Sequence, residues 1–121
     1  MTDSKYKTGE VWNYKTRDGE TKSRIYIARI DTIEKYGNIY HISVDNLNIK
    51  NKHIKSGIQT VLPHIPVSQE ALDASVTNLT SNTQNIPDIT EGYNEWKKDS
   101  GGVFTISISK IIQYIEDIVN N

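Results

Sequence analysis

The 121-residue chain contains no cysteine. Disulfide bonds, zinc–thiolate sites, iron–sulfur clusters and cysteine nucleophiles are therefore excluded. The only residues left that commonly serve both as metal ligands and as acid–base groups near neutral pH are three histidines, His41, His53 and His64. The lack of cysteine is compatible with a cytoplasmic protein, and we expect that location.

Long apolar runs and an excess of one charge are also missing. No window approaches the about 18 apolar residues that a membrane-spanning helix requires, and the polar start, Met1–Lys5, predicts no secretory signal. Fourteen basic residues against 15 acidic ones give a net charge of −1, which produces no general attraction to nucleic acid or anionic lipid. We therefore expect no membrane association, and a nucleic-acid partner is not favoured.

The composition, 36% hydrophobic and 24% charged, is that of a globular protein, and the length predicts one domain over residues 1–121. The first half reads as β structure, because β-branched and aromatic residues alternate with polar ones. Turn signals at Asp18-Gly19 and at Gly37 separate three predicted antiparallel strands. These strands cover Gly9–Thr16, Ser23–Ile33 and Asn38–Asn46.

The middle of the chain predicts one more strand and an extended segment. Ile58–Leu62 is rich in apolar residues and is expected to end at Pro63. The following residues, His64–Pro66, lie between prolines and are therefore expected to be extended.

Helix signals follow. Ser68 suits a helix N-cap, and the helix after it is predicted to carry an apolar face formed by Leu72, Val76 and Leu79. A second helix is predicted over Thr90–Lys98 and a strand over Val103–Ile106. The C-terminal helix carries a stripe of apolar residues, namely Ile108, Ile111, Ile112, Ile115, Ile118 and Val119. Together these elements predict an α+β fold, a curved antiparallel sheet of four or five strands with two or three helices, the C-terminal helix packed on the sheet.

The histidines offer two candidate chemistries. His41, Ser43 and Asp45 share one face of a predicted strand, but alternate residues there stand about 7 Å apart, too far for a catalytic triad. A solvated polar face is the expectation. A metal centre would need the three histidines to converge through the fold, because no local pair has ligand spacing. We expect no catalytic residue, no metal site and no cofactor.

Two charged segments are further candidates. The first turn carries Arg17, Asp18, Glu20, Lys22 and Arg24, and mixed signs at a turn usually face solvent. The segment Lys50–Lys55 is the one basic cluster and could face an anion or a nucleic acid, although a solvated loop is the more common outcome.

The aromatic residues favour protein binding. Seven tyrosines against one phenylalanine leave many hydroxyl groups that need water or a partner, and tyrosine, tryptophan and arginine are enriched at interfaces. The candidate binding residues are Trp12, Tyr14, Arg17, Arg24, Tyr40 and Trp96.

Two resemblances accompany these patterns. Gly9–Trp12 resembles the first strand of the SH3-like barrels of endoribonuclease toxins, but the rest of the chain does not follow that pattern and no catalytic role is carried over. The opening Val11–Arg17, the segment Leu62–Ser68 and the isoleucine-rich C-terminal helix resemble small bacterial proteins without an assigned activity. The second resemblance implies a bacterial origin and no particular function.

The leading hypothesis is a non-enzymatic, cytoplasmic protein-binding module, such as an immunity protein or another inhibitor that neutralises a partner protein. The alternative is a small enzyme or nucleic-acid-acting protein that uses His41 or His64 with Arg17 or Arg24. An enzyme should show a concave site where histidine and arginine converge, and a binding module an exposed patch of tyrosine, tryptophan and isoleucine.

Overall fold

The structure is a computed structural model and describes residues 5–121. Its first three strands, β1 (Glu10–Tyr14), β2 (Ile25–Ile33) and β3 (Gly37–Val44), pair antiparallel in chain order. This confirms the predicted three-stranded meander. The turn between β2 and β3 closes at Gly37, whose φ of 73° is a conformation that glycine adopts at little cost.

A small second ladder follows β3. Its strands, β4 (Ile49–Lys50) and β5 (Ile58–Gln59), pair antiparallel across the lysine-containing loop. The strand predicted over Ile58–Leu62 is therefore wrong in extent, because only its first two residues pair here, and they pair with β4.

The main sheet gains one strand on each side. β6 (Leu62–Ser68) pairs with β3 and β7 (Val76–Asn82) pairs with β1, so the order is β6-β3-β2-β1-β7 and every pairing is antiparallel. The sheet is open. β6 runs through Pro63 and Pro66, which fits its place at the edge, where a missing N–H need not remove a ladder hydrogen bond.

α1 (Gln69–Asp73) begins directly after β6. The Ser68 hydroxyl accepts a hydrogen bond from the Ala71 N–H at 3.1 Å, which confirms the predicted N-cap. The helix ends after one turn, so the prediction that Val76 and Leu79 belong to its apolar face is wrong. Both lie in β7, because this segment is rich in β-branched residues and the edge of β1 offers it backbone partners.

α2 (Thr90–Lys98) and α3 (Ile108–Val119) occur where the sequence predicts them. The strand expected over Val103–Ile106 is wrong, since only Phe104 pairs, in one parallel bridge to Val67. No helix among residues 5–121 is both long and apolar enough to cross a membrane.

The core lies between the sheet and the helices α1 and α3. Of the predicted apolar stripe on α3, the first half is buried, but Ile118 is 50% exposed, so the stripe packs only over its first two turns. Over residues 5–121 the architecture is the predicted α+β class, with five strands in the main sheet, three helices and the C-terminal helix packed into the core. The main aliphatic core residues are Ile25, Ile27, Ile42, Val44, Ile65, Val67, Leu72, Ile108, Ile111 and Ile112.

Candidate functional site

Three neighbouring strands, β2, β3 and β6, bring one carboxylate and two imidazoles into a hydrogen-bonded row. His41 Nε2 lies 3.1 Å from Asp31 Oδ2, and His41 Nδ1 lies 2.8 Å from His64 Nε2. The two imidazole rings are nearly parallel, with an angle of 14° between their planes, and their centroids are 5.1 Å apart. We call these three residues the Asp–His–His relay.

α2 covers this relay with two aromatic rings. The Tyr93 hydroxyl donates to Asp31 Oδ2 at 3.0 Å, and the Trp96 ring meets His41 edge to face at 4.6 Å. Arg29 donates to Asp31 Oδ1 at 3.0 Å and places its guanidinium 4.3 Å from the centre of the Tyr93 ring. His41 is fully buried as a result.

The close seating of α2 depends on a glycine. A Cβ added at Gly92 would lie 2.7 Å from Cβ of His64, well inside van der Waals contact. Gly92 therefore allows the helix backbone to approach β6 closely enough for Tyr93 to reach Asp31.

The hydrogen bonds fix where the protons of the relay lie. An ionised carboxylate only accepts, so the 3.1 Å contact requires His41 Nε2 to carry a proton that it donates to Asp31. Neutral His41 then has an acceptor at Nδ1, which receives the Nε2 proton of His64. Neutral His64 is left with an unprotonated Nδ1.

The pKa shifts of the three groups keep Asp31 ionised and both imidazoles neutral. Burial alone would raise the pKa of Asp31, but hydrogen bonds from Tyr93 and Arg29 outweigh it and hold the pKa below its ordinary value. Burial lowers the pKa of His41 despite the nearby Asp31 carboxylate. Burial and the adjacent His41 lower the pKa of His64 from 6.5 to about 4. Both imidazoles are therefore neutral at pH 7.

His64 opens on a cleft of about 530 Å³, which we call the His64 cleft. Its Nδ1 has no hydrogen-bond partner among the described residues, and no buried side-chain nitrogen or oxygen in that part of the chain lacks one, so Nδ1 is accessible to solvent. The cleft is lined by Pro63, His64, Asp88, Ile89, Glu91, Gly92 and Glu95.

A second concave surface lies between the turn that follows β2 and the end of α2. This Tyr36 groove has a volume of about 350 Å³. Tyr36 is 47% exposed and Ile33 is 37% exposed, although Ile33 is apolar and Tyr36 carries a large aromatic ring. The groove is lined by Ile33, Lys35, Tyr36, Trp96, Lys97, Ser100 and Gly101.

The strand face expected to be solvated is buried. His41 is fully buried, because the Tyr93 and Trp96 rings of α2 pack against it, and Ser43 is 3% exposed. The expectation of a polar, solvated face is therefore wrong. Asp45 does not join His41; it accepts hydrogen bonds from the Arg24 N–H at 2.9 Å and the Tyr26 hydroxyl at 2.8 Å.

The aromatic binding candidates lie in different environments. Tyr14 is 6% exposed and bonded to Ser23, and Tyr40 is fully buried, so neither ring is open to a partner in this conformation. Trp12 is half-buried and donates to Glu10 Oε1 at 3.1 Å. Trp96 lines the Tyr36 groove, packs against the rings of His41 and Tyr93, and donates from Nε1 to the Gly102 carbonyl at 2.9 Å.

The arginine candidates do not meet the histidines. Arg17 pairs with Glu20 at 2.8 Å and with Glu116 at 3.1 Å. Glu20 is 1% exposed, so the prediction that this mixed-charge turn is solvated is wrong for that residue. Arg24 donates to the Ser23 carbonyl at 3.1 Å.

The lysine loop and a metal site are the remaining candidates. The Lys50 N–H donates to Glu116 at 2.7 Å, so the basic loop lies beside a carboxylate of α3. His53 is exposed and shares no contact with the relay. Within residues 5–121, no three His, Cys, Asp or Glu side chains are grouped so that they could hold a metal ion.

Sequence reasoning missed Asp31, Arg29 and Tyr93. A signal was present, since counting outward from the turn at Gly37 pairs Arg29 with His41, and Asp31 is then its diagonal neighbour. Gly92 inside a predicted helix was a second signal, because glycine within a helix often marks a close approach.

Comparisons of the chain with protein-family models, with curated proteins and with solved structures found no match.

Proposed function

We propose that the protein binds a partner protein through the Tyr36 groove, as an immunity protein or another inhibitor would. The observation that carries this proposal is the exposure of Ile33 and Tyr36 beside the half-buried Trp96. These are the residue types that supply most of the binding energy at protein interfaces. A bacterial origin and a cytoplasmic location belong to the same proposal.

The charges around the groove suggest which partner it suits. Lys35 and Lys97 line it, and neither forms an ion pair with any described residue. An apolar or aromatic side chain flanked by carboxylates would fill the groove and meet both lysines. Complementary charges of this kind mainly raise the association rate and the specificity.

The experiment uses the product of a neighbouring gene as the first candidate partner, titrated against the protein by calorimetry. Tyr36→Ala should weaken binding about thirtyfold, the scale of an interface hot spot. Tyr114→Ala is the matched control, because Tyr114 is 53% exposed on α3, away from the groove. Equal losses from both variants would contradict the proposal.

A photo-crosslinking experiment covers the case in which the neighbouring product does not bind. A photoreactive phenylalanine analogue at position 36 should capture a defined partner in cells of the source organism, and the same analogue at position 114 should not. Charge reversal by Lys35→Glu with Lys97→Glu should abolish the capture. Capture that survives the charge reversal would argue against an acidic partner segment.

The alternative function, a small enzyme, is supported by the Asp–His–His relay. Two histidines and an arginine converge beside a cleft, although the arginine is Arg29 rather than Arg17 or Arg24.

A further inference from the structure

We propose that His64 is a catalytic nucleophile that transfers acyl groups from small, activated, positively charged esters to water. Asp31 and His41 act as positioning residues that hold the imidazole of His64 in one tautomer. This inference is independent of the binding function proposed above, because the His64 cleft and the Tyr36 groove share no lining residue.

The direction of the hydrogen bonds is the first argument. Each donor in the relay points toward Asp31, so the proton of His64 is committed to Nε2 and the lone pair of Nδ1 is free. A nucleophilic imidazole needs a second group that fixes its tautomer and ring orientation. His41 supplies that group, and Tyr93 and Arg29 hold the carboxylate behind it.

Access is the second argument. Nδ1 of His64 is open to solvent, while Nε2 and both nitrogens of His41 are taken by partners inside the protein. A buried polar network that served stability alone would not require a free lone pair at the wall of a cleft. Gly92 leaves the space beside Nδ1 unfilled, because a Cβ at that position would lie 3.2 Å from His64 Nδ1.

The charge of the cleft selects the substrate class. Asp88, Glu91 and Glu95 line it, all three are exposed, and none forms an ion pair with a described residue. No lysine or arginine is among the residues that line it. An ester that carries a cationic group would therefore be bound in preference to a neutral or anionic one.

The reaction balances with water as the only co-reactant. In an activated aryl ester, the Nδ1 lone pair of His64 attacks the carbonyl carbon. The bond between that carbon and the aryl oxygen breaks, and the aryloxide leaves with the bonding electrons. The acylated ring passes its Nε2 proton to His41 Nδ1, and Asp31 balances the charge. Water then adds to the acyl carbon, the carbon–nitrogen bond electrons return to Nδ1, and His41 returns the proton to His64. The second proton of the water goes to the aryloxide, so an acid and a phenol are released.

The test compares two isosteric esters, 3-(trimethylammonio)phenyl acetate and 3-tert-butylphenyl acetate, by phenol release. We expect turnover of the cationic ester by the wild-type protein and about a hundredfold loss in His64→Gln, the scale for removing an acid–base or nucleophilic group. His53→Gln is the matched control and should be unchanged. Glu91→Gln with Glu95→Gln should raise KM for the cationic ester and leave kcat unaltered.

The positioning roles of Asp31 and His41 need a measurement whose result a purely structural role would leave unchanged. Asp31→Asn should lower kcat about tenfold or more in protein that remains folded by circular dichroism, and the acetyl adduct on His64 should become undetectable by mass spectrometry. Should Asp31→Asn fail to fold, diethyl pyrocarbonate labelling of the wild-type protein gives the answer, because the free Nδ1 lone pair of a fixed tautomer should make His64 react faster than the exposed His53.

Three outcomes would overturn the proposal. The first is a wild-type rate no higher than that of His64→Gln. The second is labelling of His64 no faster than that of His53. The third is equal turnover of both esters, which would remove the assigned substrate class.

Discussion

Nδ1 of His41 and Nε2 of His64 lie 2.8 Å apart, a contact between two imidazoles on neighbouring strands. One ring must donate and the other accept, so the contact is lost once both rings are doubly protonated. Doubly protonated rings would present two donors and two positive charges to each other. The link between β3 and β6 is therefore sensitive to acid.

The stability of the fold should fall in mild acid. The unfolded chain protonates His64 near its ordinary pKa of 6.5, whereas in the folded protein its pKa is about 4 because of burial and the adjacent His41. The unfolded state thus binds more protons between these values, so the free energy of unfolding should drop as the pH falls from about 6.5 to about 4, by about 3 kcal/mol at most. Urea titrations at several pH values measure this. In His64→Gln the drop should shrink, and an unchanged drop would contradict the assignment to His64.

Gly92→Ala should destabilise the protein, although alanine usually stabilises a helix relative to glycine by about 1 kcal/mol. The new methyl group would lie 2.7 Å from Cβ of His64 and push α2 away from β6. We expect a loss of about 1–3 kcal/mol, as for other overpacked sites. The control is Asn94→Ala on the exposed side of the same helix, which should be neutral or stabilising. A gain in thermal stability for Gly92→Ala would show that α2 is not seated as described.

Two isoleucines of α3 should respond differently to truncation. Ile112 is fully buried in the core, so Ile112→Ala should cost about 2–5 kcal/mol. Ile118 is 50% exposed, so Ile118→Ala should change stability by about 0.5 kcal/mol or less. Thermal denaturation of both variants decides the matter, and a large loss at Ile118 would mean that this part of α3 is covered in solution.

Arg17→Ala should cost about 3 kcal/mol or more, because it leaves the buried carboxylate of Glu20 without its cation. Lys5→Ala is the matched comparison, since the Lys5–Asp73 pair is exposed and should contribute about 1 kcal/mol or less. Denaturant midpoints compare the two losses. Equal, small effects would show that Glu20 is neutralised in another way.

The fold was predictable where one signal was local and strong. Alternation marked the meander, and the isoleucine stripe marked α3. The prediction failed at Val76 and Leu79, whose spacing suits a helix, because the strand β7 depends on a backbone edge that β1 provides from 62 to 72 positions earlier in the chain. Local periodicity does not contain that partner.

The site depended still more on tertiary structure. His41 carries no visible catalytic pattern along its own strand, and its partners come from the two strands beside it. The partner on β2 could have been found by counting from Gly37. The contact with His64 could not, because it required β6 to continue through Pro63 and Pro66.

Those two prolines have a further consequence for the behaviour of the protein at high concentration. An edge strand offers unpaired N–H and C=O groups to other copies of the chain, which is a route to fibril formation. Pro66 lacks the N–H that would point away from β3, and the neighbouring Ser68 N–H already donates to Phe104 at 2.9 Å. β6 is thus a poor template for intermolecular strand pairing, and the side of the sheet that carries His64 resists aggregation while the His64 cleft stays open to solvent.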